Sequence, residues 1–297
     1  KVTTDDDIAN ETNLTIAKTH LQNVINNYGL KLMDDFSSVF DAKNGKGNEE
    51  IIFAVRYAES EAENNNKLFT YAMATGSTKD NYLSNGDKFL DALNIGNTGS
   101  QQLEYKHEIY NSFDETDTRR EATFIASYSK NTETNELTLR GTHVRKNIGY
   151  VNAQGNRIYC GDYIFYRLPL VYLMLAEIEN MQGGDVAQYI NIIRKRAYNT
   201  NWDETTYGYK NSDFTTNELA ILHEKDKEFI QEGQRWWDLC RMKNAKDGIP
   251  LVFCIEGDID NKVAILDQKT EAYKVLWPLD QNILDNDSAL EQTPGYE

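Results

Sequence analysis

The chain has 297 residues, with 31 Lys and Arg against 47 Asp and Glu and a formal net charge of −16. That length supports a packed core without disulfide or metal staples, and the acidic balance excludes a protein that grips nucleic acid by its overall charge. The longest apolar run, 168–176, lies between Arg167 and Glu177, well short of the roughly 18 residues a membrane-spanning helix needs. Cys160, Cys240 and Cys254 show no C-x-x-C spacing, so buried or half-buried thiols are the simplest reading. The sequence starts at Lys1 without an initiator Met and reads as part of a longer protein whose targeting signal lies elsewhere.

Residues 5–28 predict a helix, because Leu14, Ala17, Leu21, Val24, Ile25 and Tyr28 recur at spacings of three and four and Gly29 supplies a stop. A short second helix is predicted over 33–40. Residues 51–57, rich in Ile, Phe and Val, predict a buried strand or extended segment. From 58 to 100 the pattern is poor, rich in Asn, Gly, Ser and Thr with interspersed aromatics, and reads as long irregular structure of the kind that carries function or disorder. Residues 101–113 look helical, and 122–128 with 137–140 flank a polar turn and predict a β-hairpin. Asp162 is placed as the cap of a helix running through Met181, Gly183-Gly184 breaks it, and Asp185 opens a second helix through Tyr198. That is an αα-hairpin. A third long helix is predicted over 215–242. Helix pairs of this size build tetratricopeptide-type arrays, although no clean 34-residue repeat is visible.

The chemistry is sparse. His20, His107, His143 and His223 are scattered, and neither H-E-x-x-H, G-x-S-x-G, a P-loop nor G-x-G-x-x-G occurs. Glu177 with Glu179, Glu224 with Glu228, and Glu228 with Glu232 are carboxylate pairs, but neighbouring Lys225, Lys227 and Arg235 make a solvated or salt-bridged helix face the simpler explanation. Asp258-Ile-Asp260-Asn261 and Asp285-Asn286-Asp287 could hold a structural Ca²⁺, but without the Gly and closing Glu of an EF-hand loop they read as solvated turns. No other cofactor is implied, and no enzyme.

Three segments carry a family resemblance. Tyr163 through Arg167 and Pro169 to Glu177 is one; Asn191, Arg194 and Arg196 in the run 190–197 are the second. The third runs 221–241, with Glu224, Glu228, Glu232, Gly233, Arg235, Trp236, Asp238 and Arg241. Together they resemble the signature of the SusD/RagB family. The ending Gln292-Thr293-Pro294-Gly295-Tyr296 resembles the family's closing motif, and Asp117-Thr118-Arg119 its Asp-x-Arg segment. Two substitutions depart from the pattern: Lys225 stands where Arg is usual, keeping the charge without the planar fork, and Thr293 stands where Asn is usual.

The resemblance implies a mainly α, tetratricopeptide-like SusD fold with long irregular loops and a small β-hairpin. The whole chain, 1–297, is then a single SusD/RagB-type domain forming the C-terminal part of a longer protein. Within it, 1–57 form a helix pair plus extended segment, 58–160 a loop and hairpin region, and 161–297 the helical signature and tail. It also implies a cell-surface, lipid-anchored outer-membrane protein. Such a protein captures an oligosaccharide and passes it to a SusC-like TonB-dependent transporter, with the anchoring Cys outside this chain. The signature residues are expected to tie helices rather than touch sugar, with Arg235 and Asp238 as an ion-pair or capping set. Sugar sites stack pyranose faces on aromatic rings held by loops on a rigid scaffold. The candidate rings are Tyr57, Phe69, Tyr71 and Tyr82, and, in the polar connection 199–212, Trp202, Tyr207 and Tyr209. A peptide-binding member of the family and a scaffold that only docks the transporter remain alternatives.

Overall fold

The computed structural model describes residues 11–62, 80–89, 93, 105–146, 148–244 and 247–296. Among the described residues, those up to Gly233 form one compact unit and those from Gln234 onward form a second.

In the larger unit, α1 (Glu11–Asn27) presents Leu14, Ala17, Leu21, Val24 and Ile25 as the predicted half-buried stripe. Tyr28 lies past its end and is exposed. The second predicted helix is instead a 3₁₀ turn, Phe36–Phe40. Asp35 accepts from the Ser37 N–H at 3.1 Å and Ser38 donates back to the Asp35 carbonyl at 2.6 Å; such local bonds compete with an α-helix too short to nucleate. Next come β1 (Ile51–Val55), α2 (His107–Asn111) and α3 (Arg119–Thr123). The helix expected over 101–113 narrows to α2, with 101–104 outside the described residues. The hairpin forms as expected from β2 (Phe124–Lys130) and β3 (Leu137–Val144). Its fully buried Phe124 is met edge-on by Tyr105, Tyr110 and Phe113, with centroids 5.7, 6.0 and 6.2 Å away. A minimal pair, β4 (Tyr150–Val151) and β5 (Arg157–Ile158), follows.

Two predictions fail at the start of the signature region. Residues 163–167 are not helical: they form β6 (Tyr163–Arg167), antiparallel to β1. Pro169 explains the boundary. It has no N–H to bond back to a preceding turn, and its fixed φ suits the first helical turn, so α4 (Leu168–Gln182) begins there and the aromatic run ahead of it stays extended. Asp162 is therefore no cap; it accepts from the Tyr57 N–H at 3.0 Å and the Lys46 ammonium at 2.8 Å. The strand β1 is also not buried, since Ile52, Phe53 and Val55 are exposed.

The αα-hairpin is as expected. Gly183 closes α4, and α5 (Ala187–Tyr198) buries Ile190, Ile193 and Ala197. After a short α6 (Glu204–Tyr207) comes α7 (Phe214–Glu228), capped by Asp213. Both α1 and α7 pack on α4, so the unit is a helical stack with small antiparallel β-elements. The long helix predicted over 215–242 ends at Glu228. Gln231 and Gly233 take left-handed φ values of 67° and 75°. For Gln231 this conformation costs roughly 1 kcal/mol; Gly233 adopts it freely.

The smaller unit begins with α8 (Arg235–Arg241), continues through 3₁₀ turns at Leu251–Phe253, Ile255–Gly257 and Ala272–Val275, and ends near α9 (Gln281–Asn286). Leu239, Cys240, Met242, Leu251 and Val252 are buried in it. Its C-terminal motif is a clasp. Gln292 exchanges two hydrogen bonds with the backbone of Leu279, at 2.8 and 3.1 Å. Thr293 donates to the Trp277 carbonyl at 2.9 Å, and Tyr296 donates to the Leu276 carbonyl at 3.1 Å while meeting Tyr273 edge-on at 4.8 Å.

Candidate functional site

Six signature residues of the larger unit, Arg167, Arg194, Arg196, Glu224, Glu228 and Glu232, converge on one buried ionic cluster. Glu228 of α7 is its centre: Oε1 accepts from Arg167 at 2.5 Å and from Arg196, and Oε2 from Arg119 at 3.1 Å. Glu224, one turn earlier, takes Arg119 at 2.7 Å and Arg194 at 2.9 Å. Glu50, just before β1, takes Arg167 at 2.8 Å and Arg196 at 3.0 Å. Asp117 closes on Arg119 at 2.8 Å. The break in the predicted long helix has its purpose here: the turn after α7 swings Glu232 back onto Arg167 and Lys146, both at 2.7 Å. Five cations thus meet five carboxylates. Lys146 also lies 4.7 Å from the Phe40 ring centre, and the Arg167 guanidinium 4.7 Å from that of Phe229.

The electrostatics follow from this packing. Burial pushes the Glu228 carboxyl up, but Arg196, Arg167 and Arg119 overrule it and hold it far below the usual carboxylate range. Glu224 and Glu232 are depressed in the same way, by Arg119 with Arg194 and by Arg167 with Lys146. Burial drives Lys146 the other way, down to about 8, against the pull of Glu232. Arginine forks saturated with carboxylates have no proton to give or take at neutral pH. The carboxylate pairs are therefore salt-bridged ties, as expected, but buried rather than on a solvated face. Lys225 lies 2.5 Å from Glu177.

A second cluster builds the connection 199–212. Asn191 of α5 donates to the Tyr209 carbonyl at 3.0 Å and accepts from the Tyr209 N–H at 2.7 Å, while Arg194 donates to the Tyr207 carbonyl at 2.9 Å. This clamp sets the rings. Tyr207 stacks on Tyr198 with centroids 3.9 Å apart and planes 15° apart, and Trp202 stands 6.4 Å from Tyr198 with the Lys195 ammonium 5.7 Å from its ring. Tyr209 lies along the Arg194 guanidinium and donates to Asn217 at 2.7 Å. Trp202, Tyr207 and Tyr209 are all half-buried. The structure thus brings Trp202 and Tyr207 together around Tyr198 and ties Tyr209 to Asn191 and Asn217.

Tyr82 and Tyr57 do not join them. Tyr82 exchanges two backbone hydrogen bonds with Tyr128, both 2.8 Å, along the edge of the hairpin, with Lys88 and Lys130 5.8 and 5.6 Å from its ring. Tyr57 is half-buried beside Asp162. Phe69 and Tyr71 lie outside the described residues. In the smaller unit, Asp238 pairs with Arg241 at 2.5 Å, and Arg235 donates to the Gly257 carbonyl at 2.6 Å. Asp258 accepts from the Lys262 N–H at 3.3 Å and Asp260 lies 3.5 Å from its ammonium; among the described residues no group of three or more His, Cys, Asp or Glu could hold a metal ion. None of the three cysteines is in a disulfide.

Sequence reasoning missed Glu50 and Lys146, which give no local signal, and the exposed Phe53, Phe165 and Tyr166, whose only signal was an unusual density of aromatic residues before Pro169.

The family model for SusD proteins matches residues 22–296. A crystal structure of a SusD superfamily protein from Bacteroides fragilis is 63% identical, with a TM-score of 0.91, over 100% of this chain and 62% of its own. NanU from B. fragilis is 30% identical, with a TM-score of 0.79, over 96% of this chain and 59% of its own. SusD-like protein P2 of Formosa agariphila is 25% identical over 76% of this chain and 46% of its own. The chain thus spans about three fifths of the solved relatives and about half of the curated one. It belongs to the SusD family.

Proposed function

We propose that this chain is part of an outer-membrane, cell-surface nutrient-binding protein that captures an oligosaccharide. On this reading the full-length protein is lipid-anchored and hands its ligand to a SusC-like TonB-dependent transporter. The observation that carries the reading is the SusD match over nearly the whole chain. The fold is shared with surface glycan-binding protein A from Bacteroides uniformis, a likeness of architecture at 22% identity and a TM-score of 0.62. Glu224, Glu228 and Glu232, the carboxylates spaced one turn apart, are consumed as ties in the buried cluster.

The sugar contact we assign is the ring group of the 199–212 connection. Trp202 offers a half-exposed ring on a clamped backbone, and exposed Lys195, Asn201 and Glu204 lie next to it in sequence or space. That combination suits a pyranose, whose C–H face stacks and whose hydroxyls need donors and acceptors. Tyr207 supplies the second wall, with Tyr82, Tyr57 and Tyr209 as further aromatic candidates. Titration calorimetry with an oligosaccharide panel tests this. Binding by the unaltered chain and a loss of about 1 kcal/mol in Trp202→Ala, roughly fivefold in Kd, is expected. Unaltered affinity in the variant removes Trp202 from the site. Binding of a peptide pool and no glycan replaces the reading with peptide capture, and binding of neither replaces it with a docking scaffold.

A further inference from the structure

Residues 80–89 form a small turn along the edge of the β2–β3 hairpin. Tyr82 bridges to Tyr128 on one side and to Lys88 on the other. The Leu83 N–H closes the turn on the Asp87 carbonyl, and the Gly86 N–H on the Leu83 carbonyl, both at 2.9 Å. Its base is pinned in the core. Phe89 is fully buried with Ile125, its N–H donates to the Asn81 carbonyl at 3.0 Å, and the buried Asn81 amide donates to Ser127 at 3.0 Å. Tyr82 is therefore presented on a fixed backbone.

Residues paired across antiparallel strands share a face, as do residues two apart on one strand. Lys88, Tyr82, Tyr128 and Lys130 consequently lie on one face. The Lys88 ammonium stands 5.8 Å from the Tyr82 ring centre and the Lys130 ammonium 5.6 Å. Two like charges over one ring repel, and a counter-charge relieves them. The protein supplies none: among the described residues neither ammonium has a carboxylate partner, and the Tyr82 hydroxyl has no acceptor. The neighbouring Asp87 accepts instead from the Asn85 amide at 2.9 Å. Lys146 and Lys225, by contrast, are each tied to a glutamate.

We propose that Tyr82, Lys88 and Lys130 form an anion-recognising subsite, and that the captured oligosaccharide carries an acidic group, a uronate carboxylate or a sulfate ester. This rests on the reading of the chain as an oligosaccharide binder. The two ammoniums and the phenol O–H donate to the anionic oxygens, and the Tyr82 ring gives the pyranose an apolar edge. Such a contact is charge-assisted and exposed, so salt screens it.

Titration calorimetry on this chain compares an oligogalacturonide with its methyl ester, which keeps the skeleton and removes the charge. A sulfated galactan oligomer and its desulfated form make a second pair. The acidic member of at least one pair is expected to bind about tenfold tighter than its neutral partner at low salt, as two exposed ion pairs allow, and to lose that preference at about 0.5 M salt. Lys88→Gln and Lys130→Gln are each expected to cost about threefold for the acidic ligand and to leave the neutral one unchanged. The pair that discriminates names the anion. Equal affinity within both pairs overturns the inference and leaves oligosaccharide capture standing. An acidic preference that both lysine variants retain also overturns it, because the anion then binds elsewhere. If only neutral members of a wider panel bind, the inference falls and capture stands; if no glycan binds at all, both fall.

Discussion

Replacing Glu228 by Gln isolates the electrostatic content of the buried cluster, because the side chain keeps its shape and loses only its charge. Glu228 is fully buried and contacts three guanidinium groups, from Arg119, Arg167 and Arg196. Each retains one other carboxylate partner or more: Arg119 has Asp117 and Glu224, Arg167 has Glu50 and Glu232, and Arg196 has Glu50. The variant therefore leaves one uncompensated buried positive charge spread over three forks. Breaking a buried pair in this way costs about 3–5 kcal/mol, against a total stability of about 5–15 kcal/mol for a domain. Urea unfolding at pH 7, followed by far-UV circular dichroism, should lower the midpoint accordingly. The pH dependence carries the sharper test. Glu228 titrates far below its ordinary value of 4.5 when folded, so its stabilisation is fully present above pH 4.5 and is lost as pH falls through the folded value. The gap between the two proteins should be constant from pH 7 to about 5 and shrink below 4.5. A Glu228→Gln protein within 1 kcal/mol of the parent at pH 7, or a gap that ignores acid, refutes the account of the cluster as its main tie.

Lys146 gives a slope of the same sign in an alkaline window: its folded value near 8 lies below the ordinary 10.5, so the unfolded chain binds the extra proton and this group makes stability rise between pH 8 and 10.5, by at most about 1.4 kcal/mol per pH unit. Lys146→Met should lose that rise relative to the parent in paired urea titrations. Gly295→Ala should spring the C-terminal clasp, because φ there is 94° and an added Cβ falls 2.5 Å from the Tyr273 ring; faster proteolysis after residue 276 with an unchanged midpoint for the larger unit is the expected readout. Asn191→Ala removes both bonds to Tyr209 and should cost about 1–3 kcal/mol while raising Trp202 fluorescence quenching by acrylamide.

The helices α4 and α5 were legible because their apolar positions keep the 3.6-residue period and a Gly pair separates them. Residues 163–167 misled because Asp162 resembles a cap ahead of an apolar run; Pro169 was the outweighing signal. The break after Glu228 was unreadable for a different reason. A helix continuing through Glu232 fits local propensity, and only the need to reach Arg167 and Lys146 ends it. Arg167, Arg194, Arg196, Glu224, Glu228 and Glu232 were identified as ties from resemblance, yet their partners Glu50 and Lys146 come from segments with no pattern of their own. Contacts so distant in sequence leave no trace in either. The aromatic candidates show the same limit, since a Trp among polar residues says that a ring is unusual there, not which neighbours it will have.

The separation of those partners also sets a clock. Glu50 is paired with Arg196, 146 residues downstream, and with Arg167, 117 residues downstream. At about 5–20 residues per second on the ribosome, a nascent Glu50 waits on the order of 7–30 s for the second of these partners to be synthesised. The cluster is thus completed late in the chain: Glu228 follows Arg196 by 32 residues, and a chain truncated before Glu228 has three arginines with no central carboxylate to hold them.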